Sequence, residues 1–446
     1  MDILGLIPSF GGLLFTLAAF VIALSVIVAI HEYGHYIVGR WSGIHAEVFS
    51  IGFGPVLYSR TDKRGTVWQF AALPFGGYVK FKGDADAASA TSDSELVSGL
   101  TPDERRMTMQ GAPLWARAAT VAAGPIFNFI LSVVVFSVLI MSRGVTSDPL
   151  TVAELTPLPF DEIGLEAGDE ILSIAGLEIT DVESFSDVTA ELPEEPLLNY
   201  VVRRGETTRT VTAPHPLTTL VVSLQPRSAA MDAGLEVGDV ITAIDGAPTI
   251  LFETLRTSVG NSDGEPLALD VWNAGEMRDV TLTPKRVDLP LPEGGFETRW
   301  LIGISGGTYF TPETETPGLW RALGYGADQT VFIIQSSLSA LYNVAVGAIS
   351  SCNLSGPIGI AETSGDVASQ GLVDFIWFIA VLSTAVGLIN LFPIPVLDGG
   401  HLVFHAWEAV SGKPPSDRAL KVMMIVGLTV VLSFMLFALS NDILCP

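Results

Sequence analysis

Residues 3–30 carry no charged side chain, and the run ends directly on His31-Glu32-Tyr33-Gly34-His35. About 20 apolar residues suffice to cross a bilayer as a helix, so the stretch reads as a membrane span with ionisable residues at its end. On a helix His31 and His35 stand one turn apart on one face. Two imidazoles at that spacing suit a single zinc ion, and Glu32 beside them suits a general base. Ionisable side chains in hydrocarbon are costly and mark function. Hydrolysis within the membrane is therefore the first hypothesis; the bland alternative is a helix-end cluster solvated at the interface.

Composition agrees with a membrane protein: 49% of the 446 residues are hydrophobic and 16% are charged. Four uncharged stretches, 3–30, 118–142, 375–397 and 422–440, are each long enough to span, the third interrupted by Pro393 and Pro395. The first lacks a basic leader and a small-residue cleavage site, so it reads as a retained span and not as a signal peptide. Basic residues gather in segment 40–117 and, as Lys413, Arg418 and Lys421, in the loop 411–421. The positive-inside rule makes both cytoplasmic and places both termini and segment 144–370 outside. The net charge of −25 concentrates in that outer segment, where acidic residues outnumber basic ones by roughly three to one. Such a surface repels phosphate backbones and excludes nucleic acid as a partner.

The outer segment contains a repeat. Residues 163–176, I-G-L-E-A-G-D-E-I-L-S-I-A-G, return 70 positions later as A-G-L-E-V-G-D-V-I-T-A-I-D-G at 233–246. Each copy reads as a short helix, a Gly-Asp turn and an apolar strand, followed by further alternation. A period that long means tandem small domains. The G-L-x-x-G-D-x-I pattern resembles PDZ domains, which bind extended peptides and their ends at a sheet edge. A spacer or steric filter without peptide ligand is the alternative.

On the cytoplasmic side, residues 68–81 are apolar, β-prone and punctuated by Pro74, Gly76 and Gly77, which predicts a hairpin or loop dipping toward the membrane. Gly76, Gly77, Tyr78, Val79 and Lys80 would present a strand edge on which an extended substrate backbone could be held. Residues 84–110 read as a mobile linker. Apolar spacing over 318–350 predicts a helix on the outer membrane surface or against the core. Cys352 and Cys445 lack metal-ligand spacing; two unrelated free thiols is the first reading and a disulfide the second.

A catalytic zinc takes three protein ligands and leaves one position open. The third candidate is distant, in Asn390-Leu-Phe-Pro393-Ile-Pro395-Val-Leu-Asp398-Gly-Gly-His401. Pro393 and Pro395 must break the third span, and the glycines allow a tight turn. Irregular backbone at that depth needs protein or a water-filled cavity around it, and an aspartate there needs a partner. Alternatively Asp398 caps the following helix.

H-E-x-x-H together with N-x-x-P-x-P-x-L-D-G, G-G-Y-V-K, the repeat and N-L-S-G-P-I-G-I-A at 353–361 resembles the site-2 protease family, in its bacterial regulator-of-sigma-E protease arrangement, over essentially the whole chain. The resemblance implies one catalytic zinc on His31, His35 and Asp398, with Glu32 as base. It further implies that Asn390, Pro393 and Pro395 shape substrate binding. The expected fold is a multi-pass α-helical membrane protein with four transmembrane helices, a membrane-associated β-hairpin or loop and two tandem PDZ domains of β-rich α+β type. The expected division is a first span over 1–40, a cytoplasmic loop with the hairpin over 41–113 and a second span over 114–143. PDZ domains follow over 144–218 and 219–290, then an outer linker with amphipathic helices over 291–370. The third transmembrane segment is 371–400, a cytoplasmic helix and loop 401–421, and the fourth span with its outer tail 422–446.

The implied activity is a zinc endopeptidase of regulated intramembrane proteolysis in a bacterial inner membrane, with its site near the cytoplasmic face and both termini and the PDZ pair in the periplasm. Its implied partners are the lipid bilayer, single-pass substrates already cut outside, such as anti-sigma factors, remnant signal peptides, and peptide ends at the PDZ grooves. The competing class is a non-proteolytic PDZ scaffold with a structural metal site, which would normally need four protein ligands. A metal transporter would want polar residues in several spans, and the second and fourth offer almost none beyond Asn128.

Overall fold

The structure, a computed structural model, describes residues 6–84, 99–160, 163–290 and 296–444. The chain divides into two compact units, one of residues 1–139, 319–346 and 351–446, the other of 140–318 and 347–350. Among the described residues, four helices are long and apolar enough to cross a membrane: Gly12–Trp41, Leu114–Arg143, Leu372–Asn390 and Arg418–Leu444.

The first unit begins with helix α1 (Leu6–Trp41), followed by strands β1 (Ala46–Thr61) and β2 (Val67–Phe81). Their register is double. Val48 pairs with both Lys80 and Val67, and Ile51 with both Gly77 and Phe70, while residues 56–61 pair with 67–71. The start of β1 thus lies between two stretches of β2, and residues 77–81 pair with β1 along one side only. Tyr36, Ile44, Phe49, Val79, Phe81 and Ala116 form the buried cluster that seats this sheet on the end of α1. Its far end is different: Phe53, Val56, Leu57, Tyr58, Phe70 and Leu73 are exposed, and the hairpin is built from β1 and β2 together where one within 68–81 was expected.

Within the stretch expected to be a linker, helix α2 (Pro102–Arg106) is stopped at its start by a capping box between Thr101 and Glu104. Residues 85–98 of that stretch lie outside the described residues. Helix α3 (Leu114–Arg143) follows, with Pro125 inside it.

The second unit opens with β3 (Val145–Thr146) and β4 (Val152–Leu155). The first repeat copy supplies β5 (Glu170–Ile174), β6 (Leu177–Glu178), α4 (Val182–Glu191), β7 (Leu197–Arg204) and β8 (Thr207–Pro214). After β9 (Leu217–Leu224) and the short α5 (Ala229–Asp232), the second copy supplies β10 (Val240–Ile244), β11 (Ala247–Pro248), α6 (Phe252–Gly260), β12 (Leu267–Asn273) and β13 (Glu276–Leu282). The copies match in detail. Ala175-Gly176 and Asp245-Gly246 both turn with positive φ, at 48° and 86° and at 49° and 76°. Asp169 and Asp239 are fully buried and accept the backbone N–H of Glu166 and Glu236, at 2.9 and 2.7 Å. Each meets an arginine, Arg204 or Arg278. Burial alone would raise the Asp169 carboxyl, but the hydrogen bonds from Arg204 and the Glu166 N–H hold it below the usual carboxylate range.

Residues 291–318, expected within an outer linker, are strand-forming where described. β14 (Lys285–Pro290) and β15 (Phe296–Leu301) form a hairpin. β16 (Ile304–Thr308) adds to β9, giving the order β13-β12-β10-β9-β16. β17 (Phe310–Pro312) returns to β4 and β18 (Thr314–Glu315) to β3. This segment therefore extends the sheet of the second copy and pairs with the two strands that precede the first. Tyr309 and Phe310 sit fully buried among Val152, Ile171, Ile174 and Tyr200 of the first.

The chain then returns to the first unit as α7 (Leu319–Ala345), α8 (Pro357–Gln370), α9 (Leu372–Asn390), α10 (Asp398–Ser411) and α11 (Asp417–Leu444). The third span ends at Asn390, before Pro393 and Pro395, where the prolines were expected to break it. Cys352 is disulfide-bonded, against the first reading of free thiols; Cys445 lies outside the described residues. With no hydrophobic drive between helices in lipid, close approach at small residues replaces it. A Cβ on Gly34 of α1 would lie 2.5 Å from the Ala123 carbonyl oxygen of α3, and one on Gly387 of α9 would lie 3.1 Å from that of Pro125. Gly326 of α7 meets Ser137 of α3, and Gly365 of α8 meets Thr16 of α1, as closely.

Candidate metal centre and its cavity

α1 presents His31 and His35 from successive turns. Asp398 reaches them from the first turn of α10, after the non-helical residues 391–397. That loop folds beneath the helix because positions 399 and 400 are glycine: a Cβ on either would run into the carbonyls of Leu391, Phe392 or Ile394. The Asp398 side chain caps nothing, since Leu397 is the N-cap and no side-chain cap bond forms.

The His31 and His35 Nε2 atoms are 3.2 Å apart, and Asp398 Oδ2 lies 3.1 Å from the first and 3.5 Å from the second. Tetrahedral zinc with bonds of about 2.0–2.1 Å separates its ligand atoms by about 3.4 Å. Asp398 Oδ2 is buried and makes no hydrogen bond of good geometry despite those short distances. Three donor atoms that converge to within 3.5 Å of one another could hold a metal ion, and these residues fit zinc. They are the one group of this kind among the described residues.

α3 supplies the floor. The Nδ1 atom of His35 donates to the Thr120 carbonyl at 2.8 Å, which leaves Nε2 its lone pair. His31 Nδ1 lies 3.3 Å from the Asn128 side-chain amide. Between them Gly124 faces both rings: a Cβ there would collide with His35 Nε2 and lie 2.8 Å from His31 Cε1.

The site opens into a cavity of about 760 Å³ lined by His31, Glu32, His35 and Asp398 and also by Gly77, Tyr78, Val79, Asn390, His401 and His405. The Val79 backbone N–H donates to the Glu32 carboxylate, and Gly77 leaves room for Glu32, whose Cγ would be 3.3 Å from a Cβ at that position. The edge stretch of β2 therefore forms one wall beside Glu32. Asn390 forms part of another, its amide nitrogen returned to the Val386 carbonyl at 3.0 Å. Gly76, Lys80, Pro393 and Pro395 do not line the cavity. Lys80 instead faces Glu47 at 3.8 Å, and Pro395 packs against Gly427 of α11. A two-pronged Arg117–Glu408 pair, at 2.6 and 3.0 Å, fixes α10 to the start of α3. Burial, with the Arg117 charge adding to it, pushes the His405 imidazole down to about 4, so it stays neutral near pH 7.

Thr120, Gly124, Asn128, Arg117, Glu408, His401 and His405 were not singled out as site residues from sequence. A signal exists for three: Thr120, Gly124 and Asn128 recur every fourth residue, one stripe of small and polar side chains along an otherwise apolar span.

The model for peptidase family M50 matches residues 19–434. The chain belongs to peptidase family M50. Relatives agree along their full length. A protein of Agrobacterium fabrum whose name describes a zinc metalloprotease is 37% identical over 432 residues, covering 95% of this chain and 94% of that one. One from Rhizobium meliloti with the same description is 37% identical over 433 residues, 96% of each chain. The regulator of sigma-E protease RseP of Salmonella typhimurium is 32% identical over a 463-residue alignment, 96% of this chain and 98% of that one. This M50 peptidase is accordingly a zinc metalloprotease of the membrane, and zinc is its cofactor.

Proposed function

We propose that this M50 peptidase cuts transmembrane segments of single-pass membrane proteins, with His31, His35 and Asp398 as the zinc ligands and Glu32 as the general base. The observation that carries the reading is the triangle of donor atoms, 3.1, 3.2 and 3.5 Å on its edges, in a cavity shared with Glu32 and a strand edge. The chemistry a bound zinc supplies is Lewis acidity toward a water and toward a peptide carbonyl. Glu32 takes the proton of the attacking water on its carboxylate and hands it to the leaving amine nitrogen. The Val79 N–H orients that carboxylate.

A helical substrate hides its amides in i to i−4 bonds and must unwind to be cut. The 77–80 edge of β2 would hold the unwound strand by β-addition, with Asn390 on the opposite wall. Gly76 acts by shape, at φ 144° beneath the Phe53 ring; Pro393 and Pro395 act by shaping the loop that delivers Asp398. Basic loops put this site near the cytoplasmic face of a bacterial inner membrane, with both termini and the β-rich unit in the periplasm. The matched repeat copies are the PDZ pair in this reading and filter substrates that still carry bulky outer domains. The sigma-E regulator in a relative's name points to anti-sigma-factor-like substrates. A structural metal site on a scaffold is disfavoured by three donors where closure needs four.

The test is incubation of the purified full-length protein with a panel of single-span substrates, with chelator and Glu32→Gln arms and the cut bonds mapped. Cuts within the span that both arms abolish are expected. Cutting that survives either arm, or occurs only outside the span, overturns the proposal.

A further inference from the structure

His31 can offer Nε2 to a metal in its neutral form only if its proton resides on Nδ1, and a buried Nδ1–H needs an acceptor. The group placed to meet it is the Asn128 side chain, with Nδ2 3.3 Å away. In that orientation two donors face each other, while Asn128 Oδ1 is buried with no hydrogen-bond partner. Exchanging the two ends of the amide, which are nearly alike in size and shape, resolves both: Oδ1 accepts from His31 Nδ1–H, and the orphan oxygen is gone.

The surroundings hold Asn128 in place for this. The residue is fully buried. Its backbone carbonyl accepts the Ser383 hydroxyl of α9 at 3.0 Å, and Ser132, one turn along α3, donates to the Ala380 carbonyl of α9 at 2.8 Å. Gly387 of α9 lets the helices close, since a Cβ there would lie 3.2 Å from Asn128 Cβ. We infer that Asn128 is a positioning residue for the metal centre, its amide oxygen fixing the tautomer and ring plane of His31 as the Thr120 carbonyl does for His35. One face of α3 then orients both imidazoles, from positions eight residues apart on either side of Gly124. This rests on the reading of His31 as a ligand.

The experiment measures zinc affinity of the purified full-length protein by competition with a chromophoric chelator, in folded samples of Asn128→Ala, Asn128→Asp, Gly12→Ala and His31→Ala. Loss of an orienting partner weakens metal binding about 10- to 100-fold, which is the expectation for Asn128→Ala. Asn128→Asp is isosteric and still accepts from Nδ1–H, so it should stay within about threefold of wild type. Gly12→Ala is the control, since nothing lies within 4 Å of a Cβ at that position, and its affinity should not change. Wild-type affinity in Asn128→Ala, or equal weakening in the alanine and aspartate variants, overturns the inference. If alanine does not fold, a loss of more than about tenfold in the aspartate variant alone overturns it. Unchanged affinity in His31→Ala would instead remove the ligand reading itself.

Discussion

Gly124→Ala adds one methyl group where the structure has no space for it. The new Cβ would collide with His35 Nε2 and lie 2.5 Å from His35 Cε1 and 2.8 Å from His31 Cε1. Carbon atoms make favourable contact at about 3.5 Å and beyond, so the rings must retreat by about 1 Å or α3 must move away from α1. The second route is costly, because it would open the close packing of α1 on α3 at Gly34, where a Cβ would lie 2.5 Å from the Ala123 carbonyl oxygen. The rings therefore give way, and a donor triangle with edges of 3.1 to 3.5 Å loses its shape. Misplacement of about 1 Å at a catalytic centre costs about 10²-fold in rate, and zinc affinity should fall with it. The assay is cleavage of a single-span substrate together with zinc retained after dialysis. Gly12→Ala serves as control, because nothing lies within 4 Å of a Cβ at that position of α1. Wild-type zinc content and rate in a folded Gly124→Ala protein would refute the placement of the imidazoles against α3.

Other outcomes follow from single side chains. Glu32→Gln should lower turnover at least about 10³-fold while zinc content stays at one per chain, because the base is removed and no ligand is; metal analysis beside the cleavage assay checks it. Asp398→Asn should weaken zinc binding at least about tenfold, measured by chelator competition, since it removes one of three ligands and no helix cap. In the β-rich unit, Arg204→Ala should destabilise by about 3 kcal/mol by stranding buried Asp169, read from denaturant unfolding of that unit's signal. The Asp169 carboxyl is held below its unfolded value, so its stabilisation is complete above about pH 4–5 and is lost as pH falls through the lowered folded value. Arg204→Ala should flatten that acid limb, and an unchanged limb would contradict the pairing.

The proposed ligands come from motifs whose identity is local. H-E-x-x-H fixes its own geometry once it lies on a helix, and Pro393 and Pro395 announce that α9 cannot continue. The floor of the site was not legible in the same way. Thr120 contributes a carbonyl that any residue would carry, and Gly124 contributes an absence. Asn128 stood out only as a lone polar residue, because the spacing of four that joins it to Thr120 and Gly124 carries no recognised ligand motif. The repeat copies were readable from their Gly-Asp turns, but the strands of 304–315 were not. β16 reads I-S-G-G-T, without alternation or bulk, and β17 finds β4 more than 150 residues back along the chain. Pairing at that distance leaves no local trace.

The account turns on what surrounds the metal, and X-ray absorption at the zinc edge of the purified protein tests that most directly. The prediction is one zinc with two imidazole nitrogens and one carboxylate oxygen from the protein at about 2.0–2.2 Å, plus a light solvent atom in the open position. The signal should be lost in Asp398→Ala. A sulfur ligand, a shell closed by four protein ligands, or an unchanged spectrum in that variant would contradict it.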